Sequence, residues 1–500
     1  MKKNILSKNL LASLAEQLTR ALRDPRWPEN SLLCSLSLKL ELPVSTQLSD
    51  PGGDFFYSAQ PDTQRFRLGR GCAYRYQTDE PEADKNHSRL AALQQAFRNL
   101  QTRWALFSPD SSVQGSQPAA FVGFAYAAED SMSAPWRNWP NTLMTVPSVL
   151  LQQDGAAFTL HLSAKTDLLR TPQQRVRQRD DWLQHCQQLF ASLTMAREAQ
   201  TETDALSPLQ AVLTEPENSR WLHLVEQARQ AIHAGALAKV VPARHLRVQS
   251  SRDFQPRRIL QKLTRQFPAC TVFGIAQGSA TLVAATPEKL VRLRNGRIYC
   301  DALGGTMPCS DSPAQNQILQ TELMQSSRIR REHALVVDQM ARALDPLCTR
   351  LQLPKTPAIM PLRQLQHLWT PIEAQARSGI NLLDIAARLH PTPAVAGTPT
   401  AAAQHWIREH EPFSRGWYTG AAGWLEADGS GELSVILRCA LLRGRQADLY
   451  AGAGVVADSD PQSELAETDL KLASLLGVLG EARPEHGDND LTGRSPRAAG

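Results

Sequence analysis

Lys239 interrupts the apolar run A-L-A-K-V-V-P-A at residues 236–243. An ammonium group in an apolar strand is unfavourable unless it is paired or gives up its proton. It is either a charge snorkelling from a strand start or a buried base. Glu288 follows Pro287 in TPEKLVRL, at the edge of an apolar strand. A half-buried carboxyl there would keep its proton and could act as a general acid; an ordinary surface glutamate is the alternative. Glu464, Glu467 and Lys471 stand at i, i+3 and i+7, on one face of a helix. They form either a ligand face or a solvated Glu–Lys pair. Glu332, beside His333 in RREHALVVD, supplies a carboxylate from a second helix. Two such carboxylates, with positions open for water and substrate oxygens, suit Mg²⁺, although exposed salt bridging also accounts for Glu332 alone.

Arg438 sits inside the apolar strand VILRCAL. A buried arginine wants a bidentate carboxylate, from the protein or from a ligand. Gly452 and Gly454 in AGAGVV let backbone N–H groups approach a ligand closely. DALGGTMP reads as a tight turn, with Gly304, Gly305 and the Thr306 hydroxyl. EPFSRGWYTGAAGW brings Arg415 and Tyr418 together, and HPTPAVAGTP reads as rigid scaffold.

The elements that must carry these groups follow from periodicity. Leu10, Leu11, Leu14, Leu18 and Leu22 mark one face of an N-terminal amphipathic helix. PAAFVGFAYAAED reads as a buried strand, and residues 146–164 as a hairpin around Asp154-Gly155. A helix is expected over 178–200 and a connection over 196–216. Trp221, Leu224, Val225, Ala228 and Ile232 space a helix that ends at Gly235. KVVPARH, CTVFGIA, TLVAATPEKLVRL, SVILRCALL and ADLYAGAGVV read as strands, and 311–346 as one long helix. Ser459/Asp460 and Pro461 start the last helix. Mixed helices and antiparallel strands indicate α+β rather than a doubly wound sheet.

The bulk composition excludes several classes. Net charge is +5 over 500 residues with no basic run, which argues against a nucleic-acid partner. No stretch reaches the ~18–20 apolar residues of a membrane span, and the N-terminus lacks the apolar core of a signal peptide. Eight scattered cysteines form no CxxC pair, as expected of reduced thiols in a cytoplasmic enzyme. The polar tail 481–500 reads as disordered.

Nine motifs in order, KVVPAR, TPEKLVRL, ALGGT, RREHALVVD, QHLWTP, HPTPAVAGTP, EPFSRGWYTGAAGW, ILRCA and YAGAGVVADSDPQSELAETDLK, resemble the chorismate-utilising enzyme family. Within it they are most similar to isochorismate synthases of menaquinone or siderophore biosynthesis. The resemblance covers about 217–478 and is loose over 1–200. It implies two packed, largely antiparallel β-sheets forming a sandwich with outer helices. The 1–200 half would contribute to the sandwich and 217–480 would form the catalytic, chorismate-binding half. Monomer and homodimer are both compatible with it.

The resemblance also implies roles. Lys239 would be the general base that activates water for attack at C2 of chorismate, where ammonia-adding relatives carry glutamine. Glu288 would be the general acid that protonates the departing C4 hydroxyl. Glu332 and Glu467, with Glu464 in or beside the shell, would hold Mg²⁺. Arg438, Tyr418, Gly452 and Gly454 would hold the enolpyruvyl carboxylate, and Gly305, Thr306, His367 and Lys471 would complete the substrate site. Gly304 replaces the lysine that aminodeoxychorismate synthases use as nucleophile. Pro242, Ile329 and Gly304 depart from the family's usual residues without touching acid, base or metal positions. Two alternatives share this pattern: a salicylate synthase that goes on to eliminate pyruvate, and an inactive chorismate-binding relative.

Overall fold

The computed structural model describes residues 3–24, 31–42, 46–48, 53–78, 89–108, 116–195, 208–310, 312–361 and 365–482. Its architecture is α+β, with two large β-sheets packed face to face and helices on their outer faces. The alternation of side chains along a strand explains the layering. Phe55 and Tyr57 point to the outer core under the helices, while Phe56 between them points to the core shared by the two sheets. In Ala119–Phe124 every residue is buried, because that strand is covered on both faces.

One sheet has 13 strands and the other 10 among the described residues. Both draw strands from both halves of the chain. Thr271–Gln277 pairs antiparallel with Phe55–Gln60 in the larger sheet, and Ala421–Glu426 pairs with Ala119–Phe124 in the smaller.

The N-terminal helix, Lys3–Ala21, buries Leu14 and Leu18 as its periodicity requires. The hairpin Val149–Asp154 and Ala157–Lys165 matches its reading. Other elements differ. The helix expected over 178–200 is Pro172–Ala191, started by a Thr171 capping box and Pro172. The expected connection over 196–216 contains the strand Pro208–Glu215, whose alternation is weak because it lies near the sheet edge. The helix over 311–346 is two, Pro313–Gln325 and Ser327–Leu344, because the Ser326 hydroxyl caps the second by accepting from Ile329 N–H. Of the tail, Glu481–Ala482 is a short strand, and 483–500 lies outside the described residues.

Three apolar runs that read as single strands are interrupted, and the interruptions build the site. KVVPARH divides at Pro242. Lys239–Val240 pairs with Gly397–Thr398, and Ala243–Ser250 enters the larger sheet. Pro242 has no N–H to offer a ladder, and its carbonyl accepts from Ala453 N–H at 3.1 Å. TLVAATPEKLVRL leaves the larger sheet after Thr286 and enters the smaller at Lys289, with Pro287 and Glu288 as the crossing. SVILRCALL makes the reverse crossing between Val435 and Cys439, so Arg438 is not within a strand. It takes a left-handed φ of 46° at the crossing. The crossings hold each other: Val435 N–H donates to the Glu288 carbonyl at 3.0 Å and Ala285 N–H to the Arg438 carbonyl at 3.1 Å.

A buried ion pair ties these segments to a third. Arg415 and Glu411 are 3% and 2% exposed, with Nε to Oε2 at 2.8 Å. Arg415 also donates to the carbonyls of Val241 (2.6 Å) and Val395 (3.0 Å), and Glu411 accepts from Ala243 N–H at 2.8 Å. Its guanidinium lies 4.5 Å from the Tyr126 ring centroid. Arg415→Met should therefore strand a buried carboxylate and destabilise the fold by about 3–5 kcal/mol. A lowered urea midpoint reads this, and Arg415→Met/Glu411→Leu should recover part of the loss.

Candidate active site

The interrupted strands, the Ser327–Leu344 helix and the Pro461–Leu479 helix surround one cleft of about 870 Å³ including its mouth. Lys239, Glu288, Gly305, Glu332, His367, Tyr418, Arg438, Gly452, Gly454, Glu467 and Lys471 all line it. Eleven of the thirteen positions singled out in the sequence thus meet in one place. Glu464 lies beside the cleft rather than on its lining. Thr306 lies in the strand opposite His367, and its side chain is outside the described residues.

Lys239 is 2% exposed, and its Nζ donates to Glu332 Oε1 at 2.8 Å. It does not snorkel. Burial works to raise the Glu332 carboxyl, but the Lys239 ammonium, Arg328 and the Gly305 N–H outweigh it and hold the carboxyl below the usual range. Glu288, 6% exposed, is pushed the other way: burial raises it to about 7, against the Thr392 hydroxyl and the charge of Lys239. The two carboxyls in one cleft are therefore shifted in opposite directions.

Arg438 reaches the cleft from its crossing. Burial lowers its pKa, and the Cys270 thiol lies against it. Among the described residues no carboxylate pairs with it, which leaves the bidentate demand of the guanidinium to a ligand. His367 is neutral: burial, with Arg438 and Lys471 nearby, lowers it to about 3. Its Nδ1–H donates to the Gly305 carbonyl at 3.2 Å. The Tyr418 ring stacks on Tyr450 with centroids 5.1 Å apart.

The glycines serve here by leaving room. A Cβ on Gly454 would lie 3.0 Å from both Glu332 Oε1 and Lys239 Cε, against the ion pair. One on Gly452 would lie 3.1 Å from the Tyr418 hydroxyl. DALGGTMP is not a turn but a bulge within the strand Arg297–Pro308. Gly305 takes φ +66° there, and Ile329 Cγ2 would meet its Cβ at 2.1 Å.

Lys471 Nζ donates to Glu467 Oε1 at 2.6 Å and to the Gly452 carbonyl at 2.8 Å. Burial, then its neighbours Glu467 and Glu332, push Glu464 up to about 7. Three carboxyls thus crowd one end of the cleft, a concentration of negative charge that a divalent cation would relieve. Among the described residues no three acidic, histidine or cysteine side chains gather closely enough to cage an ion unaided. Mg²⁺ does not require that, since one or two carboxylates plus water and substrate oxygens satisfy it. Glu332 and Glu467, paired with Lys239 and Lys471, are the two carboxylates on the lining that fit such a donor set.

Sequence reasoning missed Thr392, whose hydroxyl donates to Glu288 Oε1 at 3.3 Å. It also missed Glu411 as the partner of Arg415. Thr392 stood in a segment read as scaffold, and no spacing marked it.

A sequence profile described as chorismate binding enzyme matches residues 25–480. The chain is 31% identical over 391 residues to the salicylate biosynthesis isochorismate synthase of Pseudomonas aeruginosa, covering 77% of this chain and 79% of that protein. It is 28% identical over 436 residues to the isochorismate synthase MenF of Bacillus subtilis, covering 86% and 89%. The solved structure of MenF, the menaquinone-specific isochorismate synthase from Escherichia coli, superposes with a TM-score of 0.73 at 25% identity, covering 94% of this chain and 99% of that one.

Proposed function

We infer from these findings how the cleft works, on the premise that the chain belongs to the chorismate binding enzyme family and is an isochorismate synthase, an isomerase. The observation that carries the reading is the meeting, in one cleft, of a buried lysine, a glutamate that burial raises to about 7, two further carboxylates and an arginine with no protein carboxylate among the described residues.

Arg438 receives the enolpyruvyl carboxylate of chorismate, with Tyr418 beside it. Neutral His367 and Lys471 border the ring. Glu332 and Glu467, with Glu464 beside them, would hold Mg²⁺, which would supply positive charge against the negative charge of the substrate as the ring reacts. Lys239, in its neutral form, takes a proton from a water placed over C2. The C2–O bond forms, the ring double bonds shift, and the C4–O bond breaks. Glu288 gives its proton to the departing oxygen, which leaves as water. One water enters and one leaves, so the step is an isomerisation and is reversible.

The relatives serve two kinds of pathway: the E. coli enzyme is menaquinone-specific and the P. aeruginosa enzyme serves salicylate biosynthesis. This chain's product enters menaquinone or siderophore synthesis. Among the described residues no helix is long and apolar enough to cross a membrane. The reading places the enzyme in the cytoplasm.

Chorismate incubated with the enzyme and Mg²⁺, with products separated by chromatography, should yield isochorismate, and EDTA should stop the conversion. Salicylate and pyruvate without an added lyase would replace this reading by the salicylate synthase. Lys239→Ala and Glu288→Gln should each lower kcat by about 10²–10⁴-fold. Arg438→Met should raise KM by about 10- to 100-fold, the worth of a charged hydrogen-bonded contact. The active form of Glu288 is the protonated one, and its pKa is raised to about 7. Hence kcat/KM, followed against pH, should fall as pH rises through about 7.

A further inference from the structure

Glu288 has two carboxyl oxygens, and only one can face the departing hydroxyl productively. Its backbone is fixed at the sheet crossing: its N–H donates to Thr286 Oγ1 at 3.2 Å and its carbonyl accepts from Val435 N–H. Its side chain is held at a single point. Thr392 Oγ1 donates to Oε1 at 3.3 Å, and among the described residues this is the carboxyl's one side-chain hydrogen bond. Glu288 is likewise the hydroxyl's one acceptor there.

Thr392 is itself immobilised. It is 1% exposed, and its carbonyl accepts from Val395 N–H at 3.1 Å and Ala396 N–H at 3.0 Å. Two residues before it, the His390 ring donates from Nε2 to the Thr419 carbonyl at 2.9 Å and packs edge-on against Phe124. Three residues after it, the Val395 carbonyl accepts from Arg415. A hydroxyl so held donates in one direction.

We propose that Thr392 is the positioning residue of the acid, holding Oε1 of Glu288 so that the proton resides on Oε2 and faces the cleft. The reason is hydrogen-bond accounting. The threonine proton has nowhere else to go than Oε1. An acid proton on Oε1 would compete with it, whereas on Oε2 both protons are placed. The same bond favours the ionised carboxyl and so opposes the effect of burial. Thr392 thereby keeps the acid strong enough to release its proton. This rests on the reading of Glu288 as the acid.

The test compares the parent enzyme with Thr392→Val, Thr392→Ser and Glu288→Gln. Thr392→Val keeps the shape and removes the donor. It should lower kcat about tenfold with KM within twofold, and move the alkaline limb of kcat/KM up by about one pH unit, the effect of one hydrogen bond to a carboxylate. Thr392→Ser should restore both. Infrared titration reads the proton without turnover: the carboxylic C=O band, isolated as the difference from Glu288→Gln, should disappear with a midpoint of about 7 in the parent and higher in Thr392→Val. If Thr392→Val does not fold, Thr392→Ala, which adds no bulk, carries the same expectation. Unchanged kcat, limb and infrared midpoint in a folded hydroxyl-less variant overturn the proposal while leaving Glu288 as the acid. Retained turnover in Glu288→Gln removes the acid assignment itself.

Discussion

The Arg415–Glu411 pair is the constraint on which the site depends. Neither residue lines the cleft, yet the pair holds backbone and side-chain atoms within a few residues of Lys239, Thr392 and Tyr418. Val241 and Ala243 flank the break that follows Lys239, Val395 follows Thr392, and Thr419, whose Oγ1 lies 3.3 Å from Arg415, follows Tyr418. The desolvation of two buried charges is offset by satisfying nearly all of their hydrogen-bonding capacity, and a half-satisfied version would be worse than an apolar core. The ring of Tyr126 closes the remaining face of the guanidinium. Arg89 in turn holds the turn carrying Tyr126, donating to the carbonyls of Ala125, Tyr126 and Ala127 and to Asn141. Residues before 200 therefore shape the site without lining it.

The position of the cleft follows from how strands leave sheets. A strand inside a sheet has its backbone groups taken by neighbours and its side chains taken by the cores. Only where a strand departs do side chains acquire freedom to converge, and here the departures at Pro242, Pro287–Glu288 and Arg438 lie side by side. Each carries its functional residue at or next to the break. The rigid sheets on either side fix the crossings, which is what the proposed base, acid and anion anchor require if their separations are to be held closely.

Much of the site was legible because charge in an apolar run is conspicuous. Lys239, Glu288 and Arg438 each stood among aliphatic residues, and Glu464, Glu467 and Lys471 shared one helical face. The two-layer architecture was legible from the mixture of antiparallel strands and amphipathic helices. What was not legible has physical reasons. Hydrophobic periodicity continues across a sheet crossing, because both sides of it are buried, so TLVAATPEKLVRL and SVILRCALL read as continuous. Ser326 divides a helical pattern whose apolar spacing persists through the break. The weakly patterned strand Pro208–Glu215 lies next to the edge of its sheet, where burial imposes little alternation. Thr392 acts through a contact between residues 104 positions apart, which no local spacing encodes; Glu411 stands four residues before Arg415 but just past the end of the Thr400–His410 helix, so helical spacing did not point to the pair.

Pairing, one of the ways a lysine in an apolar run can be accommodated, is how Lys239 is held: it is buried against Glu332. Its partner is ionised, whereas Glu288, on the same cleft with only a hydroxyl and a more distant ammonium to oppose burial, keeps its proton up to about 7. One residue type is thus pushed up at one wall and held down at the other, and neighbours rather than identity decide which. Gly454 is the condition for this division, since any side chain there would press on the Lys239–Glu332 contact that separates the two environments. Gly454 is therefore an electrostatic determinant: by leaving room for the close Lys239–Glu332 pair it lets one carboxyl be held low while burial raises Glu288 across the cleft.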